Sequence, residues 1–246
     1  MPKFYVDGLS SAEKTVKITG GDVNHIKNVL RLHTGDEITL CDGCGKDYIC
    51  RISELADDYV GADVQDILMN AAELNTSIVL FQGMPKSDKL ELIIQKAVEL
   101  GVCEIVPVMT KRTVVKLDTK KEKKKLERYN TIALSAAKQS GRGVIPVVRD
   151  FMTFKEALQY AKSLEMNIIP YEEAEGIEYS REVIRSIKGK KTLGIFIGPE
   201  GGFAHEEVTD AMSIGAKCIT LGNRILRTET AGLAVLSIIM FEIEEG

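Results

Sequence analysis

Up to about residue 70 the apolar positions alternate with polar ones in short runs, KFYVDG, KTVKITG, DEITLCDG, KDYICRISEL and YVGADVQDIL, each bounded by Gly or Asp. A period of two describes strands with one buried face, and several short strands at this spacing predict a small β-barrel. One stretch breaks the rhythm. In VNHIKNVLRL, Val23, Ile26, Val29 and Leu30 recur at helical spacing, and Asp22 is placed to cap the helix. Residues 70–76, NAAELNT, read as a linker, which sets a first domain over 1–70 and a second over 76–246.

After the linker, continuous apolar runs alternate with helical periods. SIVLFQG precedes a helix from about 87 to 100 with Gly101 as its cap, and EIVPV leads into a charged helix around 120–140. VIPVV, NIIPY, TLGIFIG and KCITLG follow as strands, separated by helices near 153–164, 180–187 and 205–214, and a last helix covers about 229–241. Strands alternating with helices imply an α/β domain with a parallel sheet, and in such sheets ligands sit at the carboxyl ends of the strands.

A chain of 246 residues, 44% of them hydrophobic, is long enough for one large core or two smaller ones. No apolar run approaches the roughly 20 residues that span a bilayer, and MPKFYVDGLS has neither a basic n-region nor an apolar h-region. These features lead to the expectation of a soluble, cytoplasmic protein with no membrane partner. Five scattered cysteines are poor material for a disulfide framework. Cys41 and Cys44 form a C-x-x-C, but Asp42-Gly43 between them favours a hairpin turn, and no second C-x-x-C or histidine pair completes a metal site. The net charge of −4 excludes a chain that grips nucleic acid with its whole surface. A local basic tract remains, made of Lys111, Arg112, Lys116, Lys120, Lys121, Lys123, Lys124, Lys125 and Arg128, which on its own is equally a solvated helix face.

Candidate chemistry concentrates where strands end at glycines. In GIFIGPEGGFAHEEV a buried strand stops at Gly198, and in CITLGNRILRTETAG another stops at Gly222 before a polar segment and an almost wholly apolar helix. Such a helix is buried in the core or against another subunit. Neither segment is G-x-G-x-x-G or G-x-x-x-x-G-K-[ST], which excludes the dinucleotide fingerprint and the P-loop. Capping explains Thr228 and Thr230, and Glu229 suits a first helical turn, but Arg224 and Arg227 are left unaccounted for. AAKQSGRGVIP places Gln139 and Arg142 in a Ser/Gly loop, and Gln95 and Glu99 share one helix face.

Taken together, HIKNVLRLHTGDEITLCDG, QKAVELGV, KQSGR, IGPEGGF and LGNRILRTETAG resemble, in order and along essentially the whole chain, the RsmE family of 16S ribosomal RNA uracil-N3 methyltransferases. The resemblance implies a SPOUT methyltransferase domain with a C-terminal trefoil knot, preceded by a PUA-like β-barrel that binds RNA. It also implies S-adenosyl-L-methionine as cofactor, a homodimer, and 16S ribosomal RNA or the small ribosomal subunit as partner. Gly198, Pro199, Glu200, Gly201 and Gly202 then form one wall of the cofactor site, and Leu221, Gly222, Ile225, Leu226 and Arg227 the other. The family often has glutamate where Lys138 precedes Gln139 here, which removes an acidic role at that position.

Methylating uracil N3 requires an unpaired base, loss of a proton and a cation near the developing anion. Arg227 is the first candidate for that cation and Arg142 the second; Glu200 and Glu229 are the candidate bases. For RNA capture the candidates are His25, Lys27 and Arg31 in the first domain, acting with Arg112. Two other readings compete: a SPOUT enzyme acting on a ribose 2′-OH or a tRNA base, and a non-catalytic RNA-binding or assembly protein.

Overall fold

The alternating N-terminal runs become five strands, β1 (Lys3–Tyr5), β2 (Thr15–Thr19), β3 (Glu37–Cys41), β4 (Lys46–Leu55) and β5 (Tyr59–Met69). The structure is a computed structural model that describes residues 1–114, 119–174 and 176–244, without the side chains of 119–121. The five strands lie in the order β1-β3-β4-β5-β2, antiparallel except for β1 beside β3. No pairing joins β1 to β2 among the described residues, so the expected barrel is a curled sheet with an open seam. Register shifts in the β4–β5 ladder at Ile49/Cys50 and Ile52/Glu54 bend its two longest strands. Ile18, Ile38, Leu40, Cys50, Ile52 and Val60 fill the core of this unit with virtually no exposed surface.

The helix expected after Asp22 takes a different form. Helix α1 (Gly21–Asn24) runs straight into a π-helical turn, His25–Val29, closed by the Leu30 N–H on His25 O at 2.9 Å. Gly20 holds the N-cap position, and Asp22 lies in the first turn with no capping bond. The wider turn takes one extra residue and breaks the 3.6 period. Val23 and Ile26 are therefore buried, whereas Val29 is 63% exposed and Leu30 39%.

Residues Ala137–Ile145 belong to this first unit together with Met1–Glu73. The segment is anchored by Gly45 N–H on Gly143 O (3.0 Å), by a bridge between Cys44 and Val144, and by the Tyr5 hydroxyl, which donates to Arg142 O.

The second unit contains β6 (Ser77–Gly83), α2 (Lys89–Glu99), β7 (Val102–Met109), most of α3 (Thr119–Ser140), β8 (Val147–Val148), β9 (Met152–Thr153) and α4 (Phe154–Ala161). It continues through β10 (Met166–Pro170), α5 (Ile177–Arg185), β11 (Thr192–Ile197), α6 (His205–Ser213), β12 (Lys217–Ile219) and α7 (Thr228–Ile243). All its strand pairs are parallel, in the order β12-β10-β11-β6-β7-β8, with β9 also on β7. Burial on both faces is what makes these strands continuous apolar runs. On one face Phe81 and Phe196 stack at 4.4 Å and pack with α4 and α6. Ile78, Leu80 and Gln82 alternate to the other face, where Gln82 meets Thr228 of α7. Gly101 ends α2 at φ +91°, as its place after the helical period predicts.

Candidate cofactor site

The sheet order brings the carboxyl ends of β10, β11 and β12 side by side, and the loops that leave them enclose a cavity of roughly 490 Å³ in the second unit. That volume suits a small-molecule ligand. Gly198, Pro199, Glu200, Gly201 and Gly202 line one side, and Leu221, Gly222, Ile225 and Leu226 line another. Arg227, placed with them by sequence, is not among the lining residues; it is the exposed N-cap of α7.

The glycines serve different ends. A Cβ on Gly198 would lie 3.0–3.1 Å from the main chain of Gly202 and Phe203, so its missing side chain lets the loop fold back on itself. Gly222 has open space around it but a φ of +101°, which glycine adopts without strain.

Thr228 ties the two loops together. Its hydroxyl donates to Gly198 O at 2.6 Å and accepts from Gln82 Nε2 at 2.9 Å, and the Gln82 amide also donates to Gly83 O. Both Thr228 and Gln82 are buried. Thr228→Val keeps the shape but leaves Gly198 O without its donor. We expect a stability loss of about 1–3 kcal/mol in urea melts, with Thr228→Ser close to the parent. An unchanged melt for the valine variant would show that the hydroxyl holds nothing.

Glu200 and Glu229 were the candidate bases, and their surroundings argue against that use. Burial acts to raise the Glu200 carboxyl, but its own N–H, the Lys86 N–H and the Lys89 ammonium outweigh it and hold it below the ordinary range. Glu229 is also lowered, first by its own backbone N–H and then, against some burial, by Lys89 and Arg227. Carboxylates held ionised in this way are weaker proton acceptors than usual.

Arg112, assigned to RNA capture, lines this cavity. It donates to Gly201 O at 2.7 Å, and it is placed by Glu207, whose buried carboxylate accepts from Lys111 N and Ala204 N at 2.9 and 2.8 Å. Elsewhere in the basic tract, Lys111 pairs with Glu206 and Arg128 with Glu91. Lys116 lies outside the described residues, as do the side chains of Lys120 and Lys121.

The first-unit candidates divide. His25 and Arg31 are exposed, with Arg31 at φ +54°, and His25 meets Phe4 edge-on. Lys27 is engaged: its ammonium donates to Ala56 O at 2.7 Å and lies 3.7 Å from Asp57. Arg142 is corrected. It is 2% exposed, and its guanidinium grips Glu73 fork to fork at 2.8 Å for both bonds, so it is committed to holding the first unit together rather than open to a developing anion.

Sequence reasoning missed a third wall at the end of β10, formed by Pro170, Tyr171, Glu172, Ala174, Gly176 and Ile177, as well as Arg224, Asn223 and Phe203. The NIIPY strand end preceding it was visible, and the strand-end rule applied there too. Among the described residues no group of three His, Cys, Asp or Glu side chains is placed to hold a metal, and no helix is long and apolar enough to cross a membrane.

Comparison with known proteins agrees with this anatomy. A family model described as an RNA methyltransferase domain matches residues 72–240, and one described as an RNA methyltransferase PUA domain matches 18–64. The chain is 39% identical to the ribosomal RNA small subunit methyltransferase E of Bacillus subtilis, over 94% of this chain and 91% of that one. It is 33% identical to the protein of the same name from Mesomycoplasma hyopneumoniae, over 96% and 98%. A crystal structure of the Neisseria gonorrhoeae protein of that name, bound to S-adenosyl methionine, superposes with a TM-score of 0.80 at 33% identity, over 98% and 97%. An α/β methyltransferase fold with a PUA domain, and identity at this level along nearly the full length of both chains, place this chain in the ribosomal RNA small subunit methyltransferase E family.

Proposed function

We propose that this chain transfers a methyl group from S-adenosyl-L-methionine to N3 of a uridine in 16S ribosomal RNA of the small ribosomal subunit. The observation that carries the reading is the single cavity at the strand ends that unites the GPEGG and LGNRIL segments. Its lining suits such a ligand: glycine-loop main chain offers donors and acceptors for an adenine edge, Leu221, Ile225 and Leu226 offer apolar surface, and Glu200 offers a fixed negative charge. When bound, S-adenosylmethionine supplies a methyl group already activated on a sulfonium. The protein has then to position the base and stabilise charge as the N3 proton leaves.

For the stabilising cation, Arg227 stands exposed between two lining residues, and Arg112 and Arg224 lie in the lining itself. The first unit captures RNA through His25, Arg31 and the partly engaged Lys27. The knot of the SPOUT fold belongs to this proposal as well. After β12, at the edge of the sheet, residues 220–227 return to the sheet's interior, where Thr228 is fastened to Gly198 after β11 and Gln82 of β6. A homodimer would cover the face of α7 on which Ile238 (49% exposed) and Phe241 (84%) stand one turn apart. A ribosomal RNA substrate supports a cytoplasmic location as part of the same reading.

The test is to incubate the protein with S-adenosylmethionine and small-subunit RNA, digest the product and identify the nucleoside. 3-Methyluridine is expected. A ribose-methylated nucleoside would favour the 2′-OH reading, and cofactor-independent RNA binding with no methyl transfer would favour an assembly protein.

A further inference from the structure

The Lys89 ammonium lies 3.2 Å from Glu200 Oε1 and 3.2 Å from Glu229 Oε2. It joins three segments far apart in sequence: the first residue of α2, the loop after β11 and the first turn of α7. Two carboxylates sharing one ammonium are held within two ion-pair lengths of each other, where like charges repel. Among the described residues, the other polar groups acting on them are each glutamate's own backbone N–H, the Lys86 N–H, on Glu200 at 3.0 and 3.3 Å, and Arg227, whose charge acts on Glu229.

We propose that Lys89 is a positioning residue: by balancing Glu200 against Glu229 it fixes the spacing between the two glycine-bearing walls of the cavity. A lysine suits the task. Its compact ammonium has donors free to point at carboxylates on two different elements, whereas the planar fork of arginine matches one carboxylate. Backbone N–H groups first and Lys89 after them hold both glutamates below their ordinary range, and the two carboxylates hold Lys89 above its own, so the ammonium and the carboxylates stabilise each other's charge. The inference rests on reading the cavity as the cofactor site.

The experiment measures S-adenosylmethionine affinity by calorimetry on the full chain between about pH 5.5 and 8.5, with melting curves to confirm folding. Wild-type affinity is expected to be flat across that range, because both carboxylates stay ionised. In Lys89→Met the unbalanced pair raises one carboxyl pKa. Affinity then falls about fivefold at the alkaline end, the upper end for one partly exposed ion pair. It recovers toward acid pH as that carboxyl takes a proton. Adding Glu229→Gln removes the repulsion, so Lys89→Met in that background is expected to change affinity by no more than about twofold.

A loss that is independent of pH and persists in the Glu229→Gln background would overturn the proposal. Should Lys89→Met alone fail to fold, the comparison within the Glu229→Gln background decides the matter by itself. Failure of the wild type to bind the cofactor would instead sink the reading of the cavity.

Discussion

Arg142→Ala will destabilise the protein by about 3–5 kcal/mol, seen as a fall in the denaturant midpoint of the first unit's signal. The reason is the company Arg142 keeps. The side chain is 2% exposed, and Nε and Nη2 each donate to a different oxygen of Glu73 at 2.8 Å. Glu73 Oε1 also accepts from Gly143 N at 2.7 Å and Val144 N at 3.0 Å, so one carboxylate organises the whole turn. Removing the guanidinium leaves that carboxylate uncompensated in a largely buried site and opens a void the size of the side chain. Arg142→Lys keeps the charge without the fork and should recover only part of the loss. Glu73→Gln strands the arginine and should cost nearly as much as Arg142→Ala. The sequence-based alternative, a catalytic cation, makes the opposite forecast: a stable Arg142→Ala protein with normal cofactor affinity and defective methyl transfer. That result would overturn the structural role.

The contrast between Arg142 and the strand-end loops shows which parts of this molecule a sequence exposes. Periodicity reports local burial. The second unit was therefore legible almost element by element, because IVLF, IVPV and GIFI are buried on both faces and helices between them end at Gly101, Gly141 and Gly215, with a Thr153 capping box opening α4. The five N-terminal strands were legible for the same reason, through their period of two. What periodicity cannot report is a partner distant in sequence. Glu73 sits in what reads as linker, and nothing local in KQSGR says that its arginine will turn inward to meet it. The π-helical turn at 25–29 was hidden because a five-residue turn has no apolar period of its own, and an extrapolated 3.6 period wrongly buries Val29 and Leu30. The open seam of the first sheet was hidden too, since strand count does not tell whether edges pair.

In the cavity, the glycine-marked walls stood out at their strand ends, while the wall that includes Tyr171 and Gly176 follows a strand end too but lacks the repeated glycines that singled out the others. Arg112 read as one member of a basic tract. Its separation from that tract depends on Glu207 and Gly201, far along the chain.

The same distinction leads to the largest effect expected at the site, from a glycine that local reading passes over. Gly83 ends β6, paired with Val108, and its backbone is open to any residue. What it lacks is room: a Cβ would stand 2.6 Å from Pro199 Cδ, 2.7 Å from Pro199 N and 3.0 Å from Gly198 C. Gly83→Ala is therefore a steric probe of the cavity wall, with little contribution from backbone freedom. The strand has nowhere to retreat, because β6 is hydrogen-bonded on both sides and sealed on both faces. Nor does the obstacle rotate aside, since it is a proline ring and main chain. The loop after β11 must move instead, and Thr228, bonded to both Gly198 O and the Gln82 side chain, carries the strain to the start of α7. Overpacking of this kind costs about 1–3 kcal/mol of stability. Cofactor affinity should suffer more, by about 100-fold, because both walls of the cavity are displaced together. Gly232→Ala, outside the cavity lining, is the control: its Cβ would meet Gln82 Oε1 and Ile197 Cγ1 at 3.7 Å, ordinary contact distances, and it should stay within several-fold of the parent. Calorimetry with S-adenosylmethionine, beside melting curves for both variants, separates loss of fold from loss of site. If Gly83→Ala binds as tightly as the parent, the loop after β11 yields freely, and the cavity's shape does not depend on the contact between β6 and Pro199.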